Sequence, residues 1–464
     1  MTSTSACGAH RGLPPGPSLN ADTWKASERD LMEHLREFCR TYGPVFTVHA
    51  EGRRPRVYVA DPQAIQDIFV RHQEDLEGLG PSMFKALVTD RSVAYLNGHV
   101  HRKTRHLLGH ALEAHDPSLR ARTIARIVAD ESDRLEPGVE NPLEHFTNRV
   151  TRGVILEITF GRLSSDIHLR VLDSLDRAMT SLHEQQNTPS ASCPESGERL
   201  PASFSAALAD LDRILLLEIV RRRTDETRQD CVVSRLLSSS TATGKLTDQD
   251  IALHVKTLLV SGHETTSAAL AWALLHLSLN PVVLDALRQE ITAELAPEDL
   301  LRLPYLNAVC LEVLRHSAPV PNGGAREVVR EFHAQGYLFP PGTEIVPAIH
   351  LTHQREQTFA NACAFAPKRF QGVRYGHSEF LPFGIGPRHC LGATLALQEL
   401  RIAVAEITRR ADLHVVLPRG EIMPISMGPT QRLPKDIAIY RSQPSTIAPR
   451  RRTTALNIGS QVHE

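Results

Sequence analysis

No disulfide framework can be drawn through this chain. Its seven cysteines, Cys7, Cys39, Cys193, Cys231, Cys310, Cys363 and Cys390, are scattered over 464 residues, and no CxxC pair offers a zinc site. That usage fits a reducing compartment, so a cytoplasmic location is expected. Charge of one sign is missing too: 52 Lys+Arg stand against 53 Asp+Glu, and no general affinity for nucleic acid or anionic membrane follows. No run reaches the ~18 apolar residues of a membrane span, and the N-terminal stretch lacks the apolar core of a signal peptide. Internal repeats are absent.

Helical patterns supply most of what is present. "LTDQDIALHVKTLLVSGHETTSAALAWALLHLSLNP" (246–281) reads as one long helix, with Thr247 as N-cap, Asp250 at the capping-box spacing and Pro281 at its end. Apolar on most faces, it is predicted to run through the middle of the molecule. "SGHETT" (261–266) interrupts it, and a carboxylate such as Glu264 inside an apolar helix is costly unless partnered. The stretch therefore serves either function or structure. "LPYLNAVCLEVLRHSAP" (303–319) reads as a further helix.

"VFTVHA" (45–50) and "RVYVA" (56–60) read as a hairpin. Strand signals return in "GYLFPPGTEIVPAIH" (336–350), around Pro340, Pro341 and Gly342, and again at 413–417 and 437–441. The predicted class is mainly α with small β-sheets, α+β. Residues 21–441 are read as a single domain between a flexible segment 1–20 and a disordered tail 442–464, whose Arg450, Arg451 and Arg452 are solvated. The polar, Pro/Ser-rich stretch 183–203 fits a lid or a tolerated insertion.

The most informative stretch is "FGIGPRHCLG" (383–392). Gly384 and Gly386 let the backbone turn sharply and approach a flat ligand closely, and Gly392 leaves room just past the cysteine. A helix follows, so Cys390 lies near its N-terminus, where the end potential and free N–H groups favour a thiolate. Phe383, Gly384, Gly386, Arg388, Cys390 and Gly392 together match FGxGxRxCxG, and on them the chain resembles the cytochrome P-450 superfamily. Other signatures follow in the family's order. Glu312 and Arg315 form an ExxR, Arg369 lies in "FAPKRF", and His101 and Arg105 form an HxxxR in "NGHVHRKTR". "SGHETT" is similar to the family's oxygen-binding bend. A lone ExxR would equally be a surface ion pair, and a lone HxxxR a solvated basic helix.

The resemblance implies the cytochrome P-450 fold, a triangular helix-rich prism with heme b between the long central helix and the helix after the cysteine loop. It implies Cys390 as the axial thiolate on iron, and His101, Arg105, Arg326 and Arg388 as partners of the heme carboxylates, with Phe383 and Gly392 in the cofactor loop. Glu312, Arg315 and Arg369 become a buried structural triad. Gly262 would widen the central helix where dioxygen sits, Thr265 would hydrogen-bond that oxygen, and Glu264 would relay protons. Ser261 stands where Ala or Gly is usual, Arg355 and Glu356 where Asp-Pro is common, and Ala362 where Pro is common.

By the same resemblance, the substrate pocket takes Met83, Phe84, Leu258, Ser261, Val320, Asn322, Gly323 and Met427, which are mainly apolar and fit a terpenoid-like scaffold or a fatty acyl chain. The implied reaction is monooxygenation with O2 and two electrons. About seventy residues follow Cys390, fewer than a typical domain, so electrons from NAD(P)H are expected through a separate ferredoxin-type donor and its reductase. Arg102, Lys103, His106 and Arg401 are the candidate docking cations. No nucleic-acid partner and no membrane span are expected. A peroxide-using or O2-independent heme-thiolate enzyme shares the cysteine loop, and a non-catalytic heme sensor is a third class.

Overall fold

The computed structural model describes residues 12–20, 31–79, 82–114, 116–186, 201–224, 229–241, 244–418, 422, 424–427 and 430–442. The tail 443–464 and most of the stretch 183–203 lie outside the described residues. The segment 1–20, read as flexible, is anchored over 12–20. There the Thr47 N–H donates to the Pro15 carbonyl at 3.1 Å, and Ser18–Leu19 pairs in parallel with His49 and Ala50. Backbone hydrogen bonding to an exposed sheet edge fixes it.

The elements that position the site are, in chain order, α1 (Leu31–Tyr42), β1 (Val45–Ala50), β2 (Arg56–Val59), β3 (Leu76–Gly78), α2 (Gly98–Glu113), α3 (Leu143–Phe160), α4 (Ser165–Gln186), α5 (Ala202–Thr224), α6 (Asp248–Leu279), α7 (Pro304–His316), β4 (Arg326–Val328), β5 (Glu344–Pro347), α8 (Ala393–Arg409), β6 (Ile425–Met427) and β7 (Thr430–Arg432). Helices dominate and the sheets are small, as predicted. The hairpin β1–β2 forms as read, with Val45 opposite Val59.

The wider sheet was not legible, because its pairs join distant parts of the chain. β5 runs parallel to β2, with Arg56 opposite Glu344. β4 pairs antiparallel with both β5 and β3. Tyr337–Phe339 pairs instead with Phe332–Ala334.

The central helix α6 begins as the sequence predicts. The Asp250 N–H donates to the Thr247 hydroxyl at 3.1 Å, and that hydroxyl donates to the Asp250 carboxylate at 2.6 Å. Ile251, Val255, Leu259, Ala273 and Leu275 are fully buried, so tertiary packing rather than amphipathicity stabilises this helix. α3, α5 and α8 pack around it. Among the described residues no single helix is long and apolar enough to cross a membrane.

Candidate active site

The cysteine loop is fixed by its own backbone. The Cys390 N–H donates to the Phe383 carbonyl at 2.8 Å and the His389 N–H to Gly386 at 3.0 Å. Gly384 and Gly386 take φ of 75 and 67, a region that disfavours other residues. A Cβ on Gly386 would also stand 2.6 Å from the Phe69 carbonyl oxygen. Around Gly392, which caps α8, nothing lies within 4 Å of where a Cβ would be. Cys390 is exposed at the surface of its loop, yet the protein packed around its sulfur keeps water off and pushes the thiol up, while the Gly392 N–H and Arg105 pull it down. A bound cation is what would hold the sulfur as thiolate.

Beside this loop the fold gathers buried cations. β3 and β4 place Gly78 opposite Arg326, and a Cβ on Gly78 would stand 2.6 Å from the guanidinium carbon of Arg388. His101, on α2, is depressed to about 4 by burial and then by Arg388, Arg105, Arg326 and Arg102. Arg326 falls to about 9 through burial and Arg388. Arg388 falls to about 10 through burial and Arg105, against a smaller pull from Glu77. Such a concentration of like charge in a partly buried site fits a dianionic ligand, and it fits heme carboxylates next to a cysteine sulfur. Arg388 also donates to the carbonyls of Val93 at 3.3 Å and Ala94 at 3.2 Å, and to Leu96 and Asn97. It therefore secures the loop before α2 as well.

Glu312, Arg315 and Arg369 do meet. Glu312 accepts from Arg315 Nε and Nη2 at 2.8 Å each, from Arg369 Nε at 3.2 Å and from the Ala366 N–H at 2.8 Å. Glu312 and Arg315 are both 0% exposed. Arg315 continues to the His353 carbonyl at 2.9 Å, and Arg369 to the Ala360 carbonyl at 2.7 Å. The cluster ties α7 to the segment leading into the cysteine loop.

On α6 the structure corrects one reading. Residues 261–266 are unbroken α-helix, so Gly262 does not widen it. A Cβ there would meet Ile155 Cδ1 at 2.9 Å, and the glycine is what lets α3 approach closely. Ser261 donates back to the Thr257 carbonyl at 2.6 Å, and Thr266 to the Gly262 carbonyl at 3.3 Å, a local bonding that bends helices slightly. Ser261 is exposed and Thr265 half-buried in the centre of this otherwise buried helix, so their face borders an internal space. Glu264 is 4% exposed and forms an ion pair with Arg432 of β7. Arg432 pairs in turn with Glu144 of α3 at 2.5 Å. Sequence reasoning missed Arg432 and Glu144: a buried carboxylate demands a partner, but nothing local names one 168 positions away.

The pocket residues divide. Leu258 shares the Ser261 face, and Val320 is half-buried after α7. Asn322 turns its amide toward Met32 Sδ of α1 at 3.7 Å, and a Cβ on Gly323 would meet Pro347 at 2.6 Å, so both serve packing against α1 and β5. Met83 lies in the helix Ser82–Val88 and Met427 in β6. The side chains of Met83, Phe84 and Met427 are outside the described residues. Arg102, Lys103 and His106 are exposed on α2. Arg401 is not a docking cation, since it bonds inward to Asn307 of α7.

A helix-rich fold that brings together a cysteine loop and a buried cation cluster, with a polar stretch in its central helix, defines a heme-thiolate protein. The chain belongs to the cytochrome P450 family, whose profile matches residues 11–434. It is 31% identical over 415 residues to cytochrome P450 135B1 of Mycobacterium bovis, covering 88% of this chain and 87% of that one. Cytochrome P450 135A1 of Mycobacterium tuberculosis is 29% identical, with coverage of 88% and 91%. In fold it is similar to the retinoic acid bound cyanobacterial CYP120A1, with a TM-score of 0.80, 22% identity and coverage of 92% and 99%. The protein is thus a P450 monooxygenase that binds heme and receives electrons from a redox partner.

Proposed function

We propose that this enzyme hydroxylates a lipophilic small molecule, of terpenoid or fatty acyl type, in the cytoplasm, with NAD(P)H electrons delivered by a ferredoxin and its reductase. Heme held by Cys390, with His101, Arg105, Arg326 and Arg388 around its carboxylates, supplies dioxygen activation and an electron-rich sulfur ligand. The chain's own part is to orient the target carbon in a dry pocket and to deliver protons. The observation that carries the O2-dependent reading is the linked set Glu264, Arg432 and Glu144 beside Thr265. Arg432 holds the Glu264 carboxylate in place and is itself held by Glu144, 16% exposed; a guanidinium does not release its proton, so the group that passes protons is Glu264 itself. Thr265, the next residue, is half-buried one turn from the exposed Ser261. A peroxide-driven enzyme has no need of such a proton path. Arg102, Lys103 and His106 form the basic surface for an acidic donor.

The test compares product formed with NAD(P)H, a surrogate ferredoxin and its reductase against product formed with peroxide alone. The reading requires coupled O2 consumption with the first system. Turnover confined to peroxide, or substrate binding with no product from either source, would overturn it.

A further inference from the structure

One buried polar group on the pocket face has no role in the chemistry above. His254 stands on α6 at intervals of four, seven and eleven residues before Leu258, Ser261 and Thr265, which places all four on one helical stripe. Ser261 is exposed and Thr265 half-buried on that stripe, whereas Val255 and Leu259, off it, are 0% exposed. The Ser261 and Thr265 end of the stripe therefore borders an open space, and Leu258 and His254 continue the same face toward the start of α6. His254 is 7% exposed, and its Nδ1 is buried without a hydrogen-bond partner.

The surroundings define what it can take. Loop 89–97 covers this end of the stripe: Ser92 and Thr257 share a hydrogen bond of 3.0 Å, and Arg91 pairs with Asp250 at 2.6 Å. Asp250, one turn before His254, is thus already neutralised, and burial keeps the imidazole below its usual pKa. A buried neutral imidazole nitrogen whose charged neighbours are already paired binds a neutral oxygen best.

We propose that His254 is the polar anchor of the substrate pocket and takes a hydroxyl or carbonyl oxygen at the end of the substrate remote from the oxidised carbon. At 1.5 Å per residue the anchor lies roughly 16 Å along α6 from Thr265, the span of a chain of about a dozen carbons. The substrate is then lipophilic with one terminal neutral oxygen function. This rests on the reading of that face as the substrate pocket.

The test titrates heme-loaded protein with dodecan-1-ol and with dodecane and follows the heme absorption shift. The unsubstituted protein should bind the alcohol about fivefold more tightly than the alkane, the worth of one net hydrogen bond. His254→Phe should abolish the preference while keeping the reduced carbon monoxide band, and His254→Gln should retain part of it. If the Phe variant loses heme, His254→Leu gives the same comparison. An equal preference in the apolar variants, or no preference in the unsubstituted protein, including no shift with either probe, overturns the proposal. A protein that keeps the His254-dependent preference yet shows no ferredoxin-driven turnover overturns the monooxygenase reading alone.

Discussion

At the scale of residues, the account turns on two neighbours, Glu264 and Thr265, and on the arginine that holds the first. Thr265→Ala should leave heme and substrate binding intact and divert electrons into peroxide, lowering product per NAD(P)H on the order of tenfold. Arg432→Leu should lower coupled turnover in the same direction, because Glu264 loses the partner that positions it. Measuring product and peroxide against NAD(P)H consumed decides both, and unchanged coupling in Thr265→Ala removes that hydroxyl from the proton path. The pair proposed to handle protons was legible because polar residues in an apolar helix stand out. Arg432 and Glu144 were not, since each looks like an ordinary surface charge until the fold brings them to 2.5 Å.

At the scale of elements, Glu312 links α7 to the segment before the cysteine loop through two guanidiniums and one backbone N–H. Glu312→Gln keeps the shape and removes the charge. It leaves Arg315, 0% exposed, without its carboxylate, a change that costs about 3–5 kcal/mol. The variant should lose most of its heme on purification and unfold at lower temperature, and full heme content at unchanged Tm would remove the triad from its structural role. Periodicity and caps gave α6 and α7 within a few residues, because those signals are local. Gly262 misled, since a glycine in a helix reads the same whether it loosens the backbone or admits a neighbour. Only the position of Ile155 distinguishes the two.

At the scale of the whole molecule, buried neutral histidines set the acid limit. His353 is depressed to about 3 by burial and Arg315, and its Nε2 accepts the Leu381 N–H at 3.0 Å, which requires that nitrogen to be unprotonated. His276 and His350 are also held well below 6.5 by burial. Between about 3 and 6.5 the unfolded chain binds protons that the folded one refuses, so this stability is present above 6.5 and is lost as pH falls. Glu399, raised by burial, works the other way and lowers stability as pH rises above its unfolded value. Tm should fall steadily from neutral pH to pH ~4, and a flat profile across that window would contradict the burial assigned to these rings. Composition and pattern gave the fold class, but sheet order did not follow from them. The pairing of β2 with β5 joins Arg56 to Glu344, and no local signal specifies so distant a partner.

All three scales depend on the sulfur of Cys390 binding heme iron. The direct measurement is the reduced carbon monoxide spectrum of heme-loaded protein, with and without Cys390→Ser. The unsubstituted chain should give the absorption band from which the family takes its name, and the serine variant should lose it. A band that survives the substitution, or one absent from the heme-loaded unsubstituted chain, would contradict the account.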